Sequence, residues 1–539
     1  MSHQKPKKAS KCNSDEHDMW NRRSFIQMLG LVGGGTMAFG NTSLLYSKDS
    51  QLSAAINATE NDNILVIIKL FGGNDGLNTV VPLNQYDSYA LARPTLKVPQ
   101  NELWNLSETN DAYGMPNSMS ALQGMWGDGK MKIINSVGYD DPNKSHFKGT
   151  DIWASGQTGP IQDSGWLGRY FENKYPDFVL NPPARPTAIQ IGNIKNITFD
   201  ASEDGQYSFS VASIGLLQQI TNSGLLYNLE GLPDCVHGEK LNFVRGLANN
   251  TYNYADVIYN AYNHSDASTF SGYSDNSLSD QLQLVSKLIK GHLGTKIYMV
   301  NLGGFDTHSN QANRQPQLLT EISDAIKVFY DDLGAAGLDD KVVSMTISEF
   351  GRRVNENGSE GTDHGTSGPM MLFGPSIEGN GMVGEHASLS ELTLDGDLNH
   401  HTDFRNVYAT LLKEWMCVDP TIVDGVILGQ NYDSLDLGFS CASLSTSIIN
   451  SNTAVFDHFP IYENNSISSI FMNLESAQKV NIHLYSLTGQ HIQVIYKGYL
   501  YPGKHKIAIE SDLKNRLEQG QYIYQIITPK GNFSKLILF

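Results

Sequence analysis

Apolar residues along this chain fall into two textures, divided by a polar, Ser/Thr-rich stretch that begins near residue 441. Before it, short and nearly continuous apolar runs recur: NILVIIKLF (63–71), MKIINSVG (131–138), KIYMVNL (296–302), KVVSMTI (341–347) and PMMLFG (369–374). Runs of this kind, bounded by glycines and turns, predict strands covered on both faces. Between them the spacing changes to three and four, at Leu282, Val285, Leu288 and Ile289 and again at Leu319, Ile322, Ile326, Phe329 and Leu333. That is helical periodicity. DFRNVYATLLKEWM (403–416) predicts a third helix, with Asp403 placed to cap it. Strands alternating with helices predict an α/β domain with a mainly parallel sheet and helices on both faces. In such sheets the ligand crevice lies beyond the carboxyl ends of the strands.

After the polar stretch the apolar residues alternate at period two. VNIHLYSLTGQHI, HKIAIE, GQYIYQII and FSKLILF read as short strands separated by turns such as YPGK and TPKGN, which predicts a small all-β sandwich. A length of 539 residues is more than one hydrophobic core usually serves. The expected organisation is a leader over 1–50, an α/β domain over 55–440, a linker over 441–455 and a β-sandwich over 456–539.

The formal charge of −18 is spread unevenly. Residues 1–48 hold seven Lys/Arg against three Asp/Glu, and residues 456–539 hold eight against six, so the acidity lies between them. An acidic middle argues against nucleic acid as a partner, since phosphate binding needs a basic surface, and suits cation binding. The leader contains NRRSFIQMLGLVGGGTMAFG, two arginines followed by a moderately apolar, Gly-rich run. Three consecutive glycines would weaken a folded helix. The segment resembles a twin-arginine export signal with Arg22 and Arg23 as its pair. No later run approaches the ~18 apolar residues of a membrane span, so no transmembrane span is expected in the mature chain. Cys12 would leave with the leader, and an exported chain could pair two of Cys235, Cys417 and Cys441. Their spacing does not say which, and no CxxC pair indicates a zinc knuckle or redox site.

The candidate chemistry gathers at strand ends. Asp75 follows the first strand in GGNDGLN; Asp306 and His308 follow KIYMVNL in GGFDTHSNQ; Glu349 follows KVVSMTI; Asp363 and His364 precede PMMLFG. Carboxylates mixed with imidazoles suit a divalent metal such as zinc or manganese, whereas calcium or magnesium would need no histidine. Taken singly each has an ordinary reading, Asp75 as a turn residue or Glu349 as a partner for Arg352. Their shared placement favours a site. SHFKGTDIWASG (145–156) predicts a helix starting at Ser145, where a serine is either a plain N-cap or a nucleophile beside exposed backbone N–H groups.

The ordered set GGNDGLNTVVPL, SHFKGTDIW, FDTHSNQ, SEFGR, TDHG and DFRNVYATLL resembles the exported family grouped as domain of unknown function 1501, a relative of the alkaline phosphatase and sulfatase superfamily. The likeness spans about residues 60–420. It implies metal ions at strand ends, with Asp75 as the first ligand, Ser145 as the nucleophile, Asp306 and His308 as an Asp/His pair and His364 as the later histidine. The pair is two residues apart here, where the phosphatase pattern has four. Glu349–Phe350 stands where the superfamily has Asp-His, so one histidine ligand is expected to be missing, and Glu349 and Asp363–His364 are expected to form two arms of one site. The C-terminal segment, through YSLTGQHI and GQYIYQII…SKLIL, resembles a type A sorting domain of the type IX secretion system. That implies the secretion machinery as a partner and passage through the periplasm to the cell surface or the medium.

The leading functional expectation is an exported metal-dependent hydrolase of phosphate or sulfate esters, small-molecule or polymeric. Ser145 would attack and Arg352 would stabilise developing negative charge. The alternative is a non-catalytic secreted or surface protein that keeps the fold for ligand or metal binding.

Overall fold

The computed structural model describes residues 61–441 and 458–538, apart from short segments at 107–111, 160–162, 176–177, 179–181, 193–195, 203–204, 225, 230–235, 378–380, 428–431, 440, 464–465, 475, 487–490, 510–512, 514–515, 518–520 and 529–530. The expected leader, almost all of the expected linker, Cys12 and Cys235 lie outside the described residues. Two compact units are formed, one holding Asn61–Ser443 and the other Leu444–Phe539.

The first unit is built on a nine-stranded sheet. Its principal strands are β1 (Ile64–Phe71), β2 (Met131–Gly138), β3 (Ala188–Ile191), β4 (Ser208–Val211), β5 (Ile297–Gly303), β6 (Val342–Ser348), β7 (Gly368–Phe373) and β8 (Gly381–Val383), in the spatial order β8-β2-β7-β6-β1-β5-β3-β4. Pairing is parallel between β1 and both β5 and β6, between β3 and both β5 and β4, and between β2 and β8. β7 alone of these runs against its neighbours β2 and β6. The apolar runs read from the sequence therefore lie at the centre of the sheet, and β1 shows why they lack alternation. Ile64, Val66, Ile68 and Leu70 face one core, while Leu65 and Ile67 face the other.

Helices supply both cores. On the first face pack α2 (Ser277–Lys290), through Leu282, Val285 and Leu288, and α3 (Gln311–Ala335), through Leu319, Ile322, Ile326, Phe329 and Leu333. The second face takes α1 (His146–Ser155), through Ile152 and Trp153, and α4 (Phe404–Thr410), through Phe404, Val407 and Tyr408. Asp403 caps α4 as the sequence predicts, its side chain accepting the Arg405 N–H at 2.8 Å. Beyond the C-terminal end of the α4 segment, Cys417 forms a disulfide with Cys441 across 24 residues of sequence.

The second unit holds two antiparallel sheets, one of three strands (His458–Glu463, Ser466–Leu474 and Gly503–Ala508) and one of four (Gln478–Ser486, His491–Leu500, Gln521–Thr528 and Gly531–Leu538). Alternate residues such as Val480, Ile482 and Leu484 fill its core, as period-two alternation requires. No helix among the described residues is long and apolar enough to cross a membrane.

Candidate metal centre

Four chain segments meet beyond the carboxyl ends of β1, β2, β5 and β6. Gly72 turns the chain out of β1 with φ +114°, and a Cβ there would collide with the backbone of Asp306, so glycine lets the loop after β5 lie directly against the end of β1. After β6 the chain doubles back, and Arg352 pairs with His364 in an isolated antiparallel bridge. Hydrogen bonds from Arg353 N–H to Asp363 O (3.0 Å) and from Gly365 N–H to Gly351 O (2.8 Å) fix that return and present His364 to the loop after β5. The start of α1 completes the set. At Gly149 an added Cβ would stand 2.9 Å from Glu349 O, so the helix packs its small residue on the end of β6.

The result is a cluster of three imidazoles around one carboxylate. His308 Nε2 and His364 Nε2 lie 3.1 and 3.2 Å from Asp306 Oδ1, and 2.9 Å from each other. His146 Nε2 lies 3.4 Å from Asp306 Oδ2. Every ring is held from behind through its other nitrogen: His146 Nδ1 by Glu349 Oε2 (2.5 Å), His308 Nδ1 by Asp363 Oδ1 (3.0 Å) and His364 Nδ1 by the Lys144 carbonyl (2.8 Å). Carboxylates and carbonyls only accept, so each Nδ1 donates, and in the neutral form of each ring that leaves the Nε2 lone pair turned inward. Three lone pairs and a carboxylate facing one another repel unless a cation lies among them. Backing of each imidazole by a carboxylate or carbonyl is also the arrangement that orients histidine as a metal ligand. The donor set fits a divalent metal: ligand atoms of His146, Asp306 and His364 lie within 4.8 Å of one another, with His308 beside Asp306 and His364.

The electrostatics agree. Burial works to raise the Asp306 pKa, but the Arg352 guanidinium, which donates to Oδ1 at 2.8 Å and adds its positive charge, helps outweigh it, and the carboxyl is held at about 2. His364 is lowered, by burial first and with the Arg352 charge adding to it against the opposing pull of the Lys144 carbonyl, which favours the neutral ring a metal requires. Asp363 is lowered too, chiefly by the Asn357 amide and then by His308, against its desolvation.

The expected site residues divide into those inside the cluster and those around it. Asp306, His308 and His364 come together. Glu349, expected as a ligand, stands behind His146 with only 4% of its surface exposed, and Asp363 stands behind His308. Asp75 is held in a buried network: its Oδ2 takes Arg93 Nη1 at 2.5 Å and the Gln311 amide, while its Oδ1 is buried without a hydrogen-bond partner among the described residues. A metal on Asp75 would have to share it with a guanidinium. Arg352, expected to meet the substrate, is 1% exposed. Its Nε and Nη atoms donate to the carbonyls of Gly72, Gly73, Phe305 and Thr362 and, at 2.8 Å, to Asp306 Oδ1. It ties three loops together and orients the Asp306 carboxylate from a buried position.

Ser145 is the N-cap of α1, as predicted, but its hydroxyl makes no cap hydrogen bond and the residue is exposed. It is flanked on one side by Lys144, whose carbonyl holds His364 and whose ammonium pairs with the buried Asp397, and on the other by His146. Position 350 carries no histidine, and the start of the same helix brings one beside it. Phe350 forms an apolar wall, with ring centroids 5.1 Å from His146 and 4.4 Å from His364, and His146 supplies the imidazole from α1. Sequence reasoning missed His146, although it adjoins Ser145 in the first turn of a helix already placed at the site.

A family model described as "Protein of unknown function (DUF1501)" matches residues 274–424, which include Asp306, His308, Glu349, Arg352, Asp363 and His364. No curated protein matches the chain. Among solved structures it is similar to the lipoteichoic acid synthase LtaP from Listeria monocytogenes (8% identity over 85% of this chain and 89% of that one, TM-score 0.32). It is also similar to a protein in the alkaline phosphatase superfamily from Vibrio parahaemolyticus (9%, 84% and 84%, 0.30) and to the PsFucS1 sulfatase from Pseudoalteromonas sp. (9%, 88% and 89%, 0.32).

Proposed function

We propose that this chain is an exported, metal-dependent hydrolase of phosphate or sulfate esters. The observation that carries the reading is the convergence of three Nδ1-anchored imidazoles on Asp306, with a free serine hydroxyl at the adjoining helix N-terminus. A divalent metal bound there supplies Lewis-acid polarisation of ester oxygens and neutralises developing charge. The chain supplies the rest. Ser145 Oγ is the nucleophile, and the first backbone N–H groups of α1 receive the anionic group under attack. Glu349 and Asp363 keep His146 and His308 in the required tautomers. Arg352 holds Asp306 ionised. The Cys417–Cys441 disulfide supports export, since disulfides persist in oxidising compartments.

A second reading, a non-catalytic protein holding one metal, is favoured by the capture of Asp75 by Arg93, which takes the first ligand that the resemblance implies out of the imidazole cluster. A single experiment separates the two. Metal-loaded protein is assayed against activated phosphate and sulfate monoesters beside Ser145→Ala. The hydrolase reading requires turnover that Ser145→Ala abolishes at unchanged metal content. Absence of turnover from the metal-loaded wild type leaves the binding protein.

A further inference from the structure

The charge at Lys69 is out of place. It lies in β1, the innermost strand of the sheet, beside Asn301 of β5 and Ile347 of β6, and only 4% of its surface is exposed. A buried ammonium without an acceptor is costly, so buried lysines are ordinarily paired. Yet among the described residues Lys69 makes no hydrogen bond or ion pair, and its ammonium rests 4.3 Å from the centroid of the Phe71 ring. The nearby negative charges are Glu349 and Asp151. Glu349 is committed to His146 at 2.5 Å, and neither carboxylate lies within hydrogen-bond or ion-pair distance of the ammonium.

The ammonium faces a pocket. Lys69 lines it together with Gln190, Asn196 and Asn301, walled by Phe71 and Met299. Gln190 and Asn196 are also buried. Among the described residues the Asn196 amide nitrogen has only the Met299 thioether within reach, at 3.4 Å, and sulfur is a weak acceptor. One spare amide donor and one uncompensated ammonium thus share a pocket that offers them no anion.

We infer that this pocket is an oxyanion site, taking a carboxylate, sulfate or phosphate group with Lys69 as its counter-charge and the Asn196 amide as a hydrogen-bond donor. Such a ligand satisfies both orphan donors, and charge-assisted hydrogen bonds are the stronger kind. Glu349 follows Ile347 by two residues, about 7 Å along a strand, so the pocket adjoins the imidazole cluster without sharing a ligand with it. The inference does not need the cluster to be catalytic.

The test uses the full chain stripped of metal with EDTA, so that neither turnover nor a bound metal contributes, and measures binding of inorganic sulfate and of methyl sulfate by calorimetry. The expected result is binding that Lys69→Met weakens by about ten- to a hundredfold, the worth of a charge-assisted hydrogen bond. Asn196→Leu, which leaves the sheet untouched, is expected to weaken it less but measurably, and serves if Lys69→Met fails to fold. Methyl sulfate binding as well as the inorganic ion marks a substrate-borne group; its exclusion marks a site for a free ion. Wild-type protein that binds neither probe, or variants that bind as the wild type does, overturns the site and leaves the hydrolase reading where its own assay puts it.

Discussion

His308 and His364 bring their Nε2 atoms to 2.9 Å while each ring's Nδ1 proton is spent on a fixed acceptor, Asp363 in one case and the Lys144 carbonyl in the other. Two lone pairs at hydrogen-bond distance with no hydrogen between them are held there by the surrounding loops, because each backing acceptor belongs to a different segment. Only a cation resolves that contact without protonating a ring.

Protein purified without chelator is therefore expected to carry one divalent transition metal per chain, measured by elemental analysis. His146→Ala, His308→Ala or His364→Ala should each remove it at micromolar metal. Glu349→Gln keeps an acceptor for His146 but loses the charge, and should weaken metal binding by about ten- to a hundredfold, recoverable with excess metal. Metal content indifferent to all four substitutions is the result that refutes the cluster as a site.

Arg352 makes a contrasting prediction. Because it satisfies four carbonyls and Asp306 from a fully buried position, Arg352→Met should cost stability, by about 3–5 kcal/mol, before it costs chemistry. Thermal melting of the metal-free protein reads this directly. An unchanged melting temperature with lost turnover would return Arg352 to the role of a substrate-facing group.

What the sequence disclosed, and what it hid, follows from the range of the interactions. The strands around Ile64–Phe71 and Val342–Ser348 were legible because a strand buried on both faces must be apolar throughout, and the helices because one stripe of each must be. The strand-end position of Asp306, His308 and His364 followed from that alternation. The division of labour among the charges did not. Arg352 looked available because sequence does not report that the carbonyls of Gly72, Gly73, Phe305 and Thr362 converge on it. Asp75 looked free because Arg93, its partner, sits 18 residues away in a separate helix cap. His146 was passed over because its ring is directed by Glu349, 203 residues distant. Each of these depends on tertiary contact rather than local pattern.

The two units make a prediction independent of any chemistry. Residues 456–539 form their own core around Ile470, Val480, Ile482, Leu484 and Ile526. Deleting them should leave the α/β unit folded, with its melting transition and metal content intact; under the sorting role that the C-terminal resemblance implies, the truncated protein accumulates in the periplasm instead of reaching the surface or medium. Unaltered delivery of the truncated chain, followed by fractionation and immunoblotting, would remove the sorting role and leave a binding module.

Lys69 ties stability to pH in a direction opposite to that of an ion-paired lysine. Burial lowers its pKa to about 8 in the folded chain, with Glu349 and Asp151 opposing, whereas an unfolded chain titrates it near 10.4. Between those values the unfolded state holds the proton and the folded state does not, so stability rises with pH across that window. Below about pH 8 both states are protonated and the full penalty of the buried charge applies, roughly 3 kcal/mol from the size of the shift. Chemical denaturation of the anion-free, metal-free protein should therefore show a midpoint that increases from pH 8 to pH 10. Lys69→Met should be the more stable protein at pH 7 and should lose that part of the increase. Saturating sulfate should act in the same sense at pH 7, stabilising the wild type but not the variant, because an anion in the pocket and a missing proton relieve the same uncompensated charge. A flat wild-type profile over this range, or a Lys69→Met protein less stable than wild type at pH 7, would mean that the ammonium already has its counter-charge within the fold.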